Sequence, residues 1–347
     1  MATDIHQHNK ELIGAFRRAL YNCDARTLKS QLRYIFASDA HIYLATPLED
    51  MVGGDGLFEQ AYQPLLAAIP DVERRDFIVM AGASGGDNWV GCAGHYIGVF
   101  EHPWLDIPPT QHAVAMRYHE FFRIVDDQII EMQALWDIPQ VMMQAHAWPL
   151  SPSLGVEWLV PGPATQDGLV SAPYDHARSD ASLKLVGDML AGLKRSPEGV
   201  EAMQLDRYWH PKMLWYGPAG IGATRRISGF RNWHQIPFLN GMPDRQAILD
   251  AGAFFADDAY VGFTAWPGMK MTISGGGWLG IAPSNQAITM RSLDFWRCEN
   301  GLIRENWVLV DLLDLYAQLG VDVFARLRAF NKARRLGPMT LDPGLTR

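Results

Sequence analysis

Pro64-Leu65-Leu66-Ala67-Ala68-Ile69-Pro70-Asp71 returns as Pro237-Phe238-Leu239-Asn240-Gly241-Met242-Pro243-Asp244, and 237 minus 64 gives an offset of 173. Further on, Arg117, Arg123, Ile130, Glu131 and Asp137 return as Arg291, Arg297, Arg304, Glu305 and Asp311, at an offset of 174 (291 minus 117), and four of the five pairs are identical. An offset held within one residue over this span marks a duplicated domain. The period is far longer than the roughly 20–50 residues of solenoid repeats.

The length agrees, since 347 residues predict about two domains of roughly 100–200 residues. The boundaries expected are residues 1–148 for the first copy and 149–180 for a linker. Residues 181–347 then form the second copy, with a C-terminal helical tail. The linker reading rests on five prolines from Pro149 to Pro173, with Ser and Gly between them. Hydrophobic content of 48% and charged content of 20% are those of a globular protein. A net charge of −8 without a basic stripe argues against a nucleic-acid partner. No apolar run approaches the roughly 20 residues that cross a bilayer, and Met1 to Glu11 shows no secretory signal. Cys23, Cys92 and Cys298 have no CxxC spacing and leave one unpaired, which fits structural thiols in a reducing, cytoplasmic setting.

Each copy opens with helices and closes with strands. In the first, Leu12, Phe16 and Leu20 fall at helical spacing, Ala25 to Ala37 forms a second helix and Leu57 to Ile69 a third. Short apolar runs then flank Gly85-Gly86-Asp87-Asn88, and His112 to Val125 pairs with Gln128 to Trp136 across Asp126-Asp127. In the second copy, Leu183 to Leu193 and Phe230 to Gly241 read as helices. Strands follow near Ile248–Phe255, Ala259–Ala265, Ile288–Cys298 and Leu302–Val310, with Asn300-Gly301 at the last hairpin. This order gives an α+β class: two tandem cone-shaped domains, each a curved antiparallel sheet with about three N-terminal helices on its concave face. Such a cone encloses a cavity, the default ligand site.

Several motifs carry a family resemblance: Gly94-His95-Tyr96-Ile97-Gly98, Ile107-Pro108-Pro109-Thr110, Phe121-Phe122-Arg123-Ile124, Gln128-Ile129-Ile130-Glu131 and Trp136-Asp137. The second copy shows Gly280-Ile281-Ala282-Pro283-Ser284, Phe295-Trp296-Arg297, Asn300 to Trp307, and Asp311. Together they resemble SnoaL-like polyketide cyclases, of the nuclear-transport-factor-two-like superfamily. The first copy departs at Asp127, Gln128 and Gln133, where the family has Gly, Lys and Trp. The second keeps the Trp but carries Ser274-Gly275-Gly276-Gly277 in place of the family's G-T-H-x-G.

The resemblance implies acid/base catalysis without cofactor or metal: a base removes a proton beside a carbonyl and the enolate closes a ring. A carboxylate in an apolar pocket suits this, because desolvation raises its pKa toward neutrality. Asp311 is the first candidate, placed at the family's catalytic position and ending the apolar strand Trp307-Val308-Leu309-Val310. The competing reading is a helix N-cap. Asp137 is its counterpart. His234, on the third helix beside apolar residues, is either a packed histidine or an acid/base partner. Arg291 and Asp294 lie on opposite faces of one strand, so at most one points into the pocket. Arg291 there would stabilise an enolate and elsewhere would form a cross-strand ion pair. Trp307, Tyr216, Trp215, Trp278, His95 and His119 are candidate substrate contacts, with core packing as the alternative for the aromatics. No histidine pair has metal-ligand spacing.

Three functions compete at this stage: a cofactor-free cyclase or isomerase acting on a hydrophobic carbonyl compound, a small-molecule carrier, and an interaction module. The state of Asp311 separates the first two, a raised pKa in a closed cavity favouring chemistry. The two copies are expected to pair within the chain as a pseudo-dimer, and a further homodimer stays open.

Overall fold

The computed structural model describes residues 4–248 and 252–336. Part of the Ile248–Phe255 strand read from sequence therefore lies outside the described residues. In the first copy, α1 (Ile5–Leu12), α2 (Gly14–Tyr21) and α3 (Ala25–Ile35) precede β1 (Phe36–Leu44) and β2 (Glu49–Val52). Asp4 and Asp24 cap α1 and α3, each accepting backbone N–H groups of the first turn. A broken helix follows, made of α4 (Gly53–Leu57), a π-helical turn Phe58–Tyr62 and α5 (Gln63–Ala68). Then come β3 (Glu73–Ser84), β4 (Asp87–Val99), β5 (Ala113–Val125), β6 (Gln128–Trp136) and α6 (Ile138–Gln144). The sheet order is β2-β1-β6-β5-β4-β3, antiparallel except for the parallel β1–β6 pair.

The second copy opens differently, with α7 (His176–Leu193) and three short 3-10 turns (Ser196–Glu198, Val200–Met203 and Leu205–Arg207) where the first has three helices. It then keeps the order with β7 (Trp209–Tyr216), β8 (Thr224–Arg225), α8 (Arg226–Phe230), a π-helical turn Arg231–Gln235 and α9 (Ile236–Gly241). After these run β9 (Gln246–Ala247), β10 (Gly252–Asp257), β11 (Tyr260–Thr272), β12 (Ala287–Glu299), β13 (Leu302–Val310), α10 (Leu312–Gln318) and α11 (Val323–Leu336). Helix α7 begins at His176 rather than Leu183, inside the segment read as linker, because Asp175 caps it by accepting the Arg178 N–H. The remaining linker is not a free spacer. Gly155 and Val156 bond to Ile221 and Ala223 of the second copy, and Val79 of the first donates to Gly168.

The two sheets pack face to face. Strand alternation puts Phe121 and Leu135 of one, and Leu293, Phe295, Trp307 and Leu309 of the other, in one buried cluster. At its centre, the rings of Phe121 and Phe295 stack with centroids 4.8 Å apart and planes 16° from parallel. These are equivalent positions of the two copies, so a pseudo-two-fold axis passes between them. Polar links are spread around the seam. His119 Nδ1 meets the Leu293 carbonyl at 2.8 Å, Thr264 Oγ1 donates to Gln133 Oε1 at 2.6 Å, and Lys10 pairs with Asp257 at 2.8 Å. Truncating Phe295 to Ala removes ring area shared by both copies. The expected loss is about 3–5 kcal/mol, read by chemical denaturation. A loss under about 1 kcal/mol would mean that the sheets do not depend on each other.

Candidate functional site

Alternation along each strand assigns one face to the seam and the other to the interior of the cone. In the second copy that interior is a cavity of about 910 Å³. Ser292, Asp294 and Trp296 of β12 line it, with Asn306, Val308 and Val310 of β13. The rest of the lining comes from Trp215 of β7, whose backbone pairs with Asn306, and from Phe230, His234, Gln235, Phe238 and Trp278.

The equivalent interior of the first copy is filled by its own side chains. Arg74 Nη1 donates to Glu120 Oε2 at 2.6 Å, and Tyr96 and Trp136 donate to Glu120 Oε1 at 2.8 and 3.0 Å. Tyr62 meets the Tyr96 hydroxyl at 3.0 Å, Tyr118 donates to Asp76 at 2.7 Å, and Arg74 also reaches Asp76. Arg74, Tyr62, Tyr96, Tyr118 and Trp136 are all under 3% exposed. Strand pairing shows what replaces them. Tyr118 pairs with Trp136 and Ser292 with Val310, while Arg74 pairs with Tyr96 and Ala247 with Met269. Tyr62 falls opposite Gln235 at the 173-residue offset. Four bulky side chains and one cation are thus shortened in the second copy, and the cavity is the volume they vacate.

The two copies share one carboxylate position. Glu120 pairs with Ala134 and Asp294 with Val308. Glu120 is held by the Arg74 guanidinium. Asp294 has only neutral partners: Ser292 Oγ donates to Oδ2 at 2.7 Å, and the Asn306 side chain also bonds to it. Burial pushes the Asp294 carboxyl up to about 7, opposed by those two hydrogen bonds. The His234 ring stacks on Trp215 at 4.1 Å. Burial, and then the nearby Arg245 charge, lower its pKa to about 3, so this imidazole is neutral. Its Nδ1 has no protein partner, and the same holds for Gln235 Oε1, Trp209 Nε1, Trp296 Nε1 and Arg245 Nε, all on cavity-lining residues. Buried polar atoms left unpaired by protein in one cavity are free to bond a ligand or the water it displaces.

Asp311 and Asp137 lie elsewhere. Both residues sit at the seam, where each accepts a backbone N–H from the opposite copy: Asp311 Oδ2 from Thr46 and Asp137 Oδ2 from Ala219, both at 3.0 Å. Arg291 approaches Asp311 at 3.1 Å and Arg117 approaches Asp137 at 3.7 Å. Asp311 also caps α10 by accepting the Asp314 N–H. Burial raises both carboxyls to about 6. The raised pKa looked for at Asp311 is thus present, but the residue does not line the cavity. The physical reason is parity: Trp307, Leu309 and Asp311 share a face, and that face belongs to the seam.

Trp307, Tyr216, His95 and His119 also lie on the seam side of their strands and do not line this cavity. Trp307 stacks on Tyr216 at 5.3 Å and donates to the Pro161 carbonyl, His119 bonds across the seam, and His95 packs on Phe77. Arg291 lies off the cavity too, stacked on Trp266 at 4.6 Å and paired with Glu49, Asp311 and Asp314. Of the residues singled out from sequence, the structure brings Asp294, His234, Trp215 and Trp278 to one cavity. Ser292, Asn306 and Arg245 were missed. The available signal was comparison of the copies, since Tyr118, Met132 and Val72 stand at the matching positions. Among the described residues no His, Cys, Asp or Glu cluster is arranged to hold a metal ion, and no helix is long and apolar enough to cross a membrane.

The family model for SnoaL-like polyketide cyclase matches residues 14–145 and again 200–319. Among solved structures, IdmH from Streptomyces antibioticus, named as a candidate polyketide cyclase, is 20% identical with a TM-score of 0.34. The match covers 40% of this chain and 98% of that one. A SnoaL-like protein from Jannaschia sp. CCS1 is 21% identical with a TM-score of 0.32, over 41% of this chain and 94% of that one. AclR from Streptomyces galilaeus, named as a candidate hydroxylase, is 16% identical with a TM-score of 0.34, covering 40% and 96%. No match was found among curated proteins.

The electrostatics of Asp294 have a stability consequence. A carboxyl held protonated in the fold but ionised in the unfolded chain costs stability as pH rises from about 4 to about 7, and the cost is constant above that. Asp294→Asn removes the ionisation. Its melting temperature is expected to exceed that of the unsubstituted protein at pH 8 and to match it near pH 4. An equal shift at both pH values would show that the Asp294 carboxyl is not held up in the fold.

Proposed function

The chain belongs to the SnoaL-like polyketide cyclase family, and on that premise we propose that its second domain is a cofactor-independent cyclase or isomerase acting on a hydrophobic, polyketide-like carbonyl compound. One observation carries the reading. Asp294 is a buried carboxyl without a cationic partner, its pKa is near neutral, and it faces an aromatic-walled cavity large enough for a polycyclic ligand.

The chemistry follows from those groups. The ionised Asp294 carboxylate takes a proton from the carbon beside a carbonyl, leaving an enolate. Unpartnered N–H donors on the wall, from Trp296 and the neutral His234, stabilise the enolate oxygen. The enolate carbon then bonds to a second carbonyl carbon of the same molecule. The resulting alkoxide recovers the proton from Asp294, so the carboxylate is regenerated and the product is an isomer of the substrate. A base of pKa near 7 is matched to this task at neutral pH. Trp215, Phe238 and Trp278 hold the two ends of the substrate together, which lowers the entropic barrier. His234 acts here as a hydrogen-bond donor and not as an acid: with a pKa of about 3 its imidazole is neutral at neutral pH and keeps one ring N–H. The first domain, its interior filled and its carboxylate paired, supplies the seam that supports the second.

The test is turnover of aryl polyketones by three proteins. Asp294→Asn is expected to lower kcat by about 10²–10⁴ with KM little changed, and to abolish an ionisation near pH 7 in the rate profile. Asp311→Asn is expected to keep both the rate and the ionisation. Loss of activity in Asp311→Asn with Asp294→Asn intact would reverse the assignment. Binding without turnover in the unsubstituted protein would make it a carrier.

A further inference from the structure

Arg245 lines the same cavity as Asp294 and His234. Its guanidinium lies 5.8 Å from the Phe238 ring centroid, its Nη2 reaches the Leu193 carbonyl at 3.4 Å, and its Nη1 reaches the Met269 sulfur at 3.8 Å. These are weak partners for a full positive charge, and Nε has none. Among the described residues, no carboxylate is paired with it. The neighbouring Asp244 is turned instead to the Thr272 N–H, at 2.8 Å. Burial lowers the Arg245 pKa, and no acidic group among the described residues opposes it. A half-buried guanidinium with no counter-ion among the described residues is costly, and a carboxylate on the ligand would offset that cost. The planar fork matches a carboxylate in two-pronged geometry. The first copy has Val72 at the matching position, so the charge belongs to the open cavity and not to the fold.

We infer that Arg245 is a specificity-determining residue that receives a carboxylate on the substrate, which makes the ligand a hydrophobic keto acid rather than a neutral ketone or ester. This rests on the reading of the cavity given above and extends it. Arg245 and His234 both lie against Phe238, 5.8 and 5.5 Å from its ring centroid. The acid group is therefore bound beside the Phe238 ring, near the reacting carbonyl that His234 contacts. Lys194, exposed at the rim among the lining residues, adds positive charge on the same side.

Calorimetric binding at pH 8 of 4-(2-naphthyl)-4-oxobutanoate and its primary amide tests the inference. The two are alike in shape and differ in charge. The acid is expected to bind at least about 10-fold more tightly than the amide, the order of one charge-assisted contact. In Arg245→Met the preference is expected to fall to about 2-fold or less, with the amide affinity unchanged, which also shows that the cavity is intact. Arg245→Lys is expected to retain part of the preference. Equal binding of acid and amide, or a preference that survives in Arg245→Met, overturns the role of Arg245. The cavity reading then stands or falls separately, on Asp294→Asn turnover. Failure of both compounds to bind overturns the inference together with the cavity reading.

Discussion

The structure depends on the contact between its two sheets. An antiparallel sheet with helices on one face still has a second face to cover, and here each copy covers the other. The stacked Phe121 and Phe295 rings mark the centre of that contact. Once one face of every long strand is committed to the seam, the parity of each residue decides its fate. Leu293 and Phe295 are packing residues, whereas Ser292, Asp294 and Trp296 face the cone. The same rule sends Asp311 and Asp137 to opposite ends of one job, each receiving a backbone N–H from the other copy.

Duplication left two interiors free to diverge while the seam held them. In one, Arg74 and four aromatic side chains closed around Glu120. That arrangement is satisfied: the carboxylate is bonded to a guanidinium, a hydroxyl and an indole N–H, and the side chains that bond it fill the interior. In the other, shorter side chains left the matching Asp294 with hydroxyl and amide donors alone. One backbone position thus carries a structural ion in the first copy and a titratable group in the second. Environment separates the two roles, not residue type.

Fold and family were legible because the repeat offset, the hairpins and the family motifs are local patterns repeated in order. Leu302–Val310 was read from sequence with the bounds the structure gives. The α7 start was missed because its cap, Asp175, lies within a proline-bearing stretch. The site was legible only in part. Alternation separated Arg291 from Asp294, but it cannot say which face meets the cavity, and the seam that decides this is formed by residues about 174 positions apart. Asp311 looked like a lone carboxylate in an apolar strand because its partners, Thr46 and Arg291, are distant in sequence. Arg245 gave no signal of its own, since an unpaired charge becomes visible only when its surroundings are known.

The route of the chain also bears on how the protein is made. The first sheet is complete once β6 has been synthesised, yet the strand bearing Phe295 follows more than 150 residues later. At about 5–20 residues per second, the face around Phe121 stays bare on the ribosome for roughly ten to thirty seconds. The segment that includes Pro161 and Gly168 is translated in that interval, and it is the part of the chain that lies against Phe77 and Val79 in the finished protein. A stretch that would pass for a spacer is thus the first available cover for an apolar surface awaiting its partner, and shortening it would expose the nascent chain to mispairing with its neighbours on the same messenger.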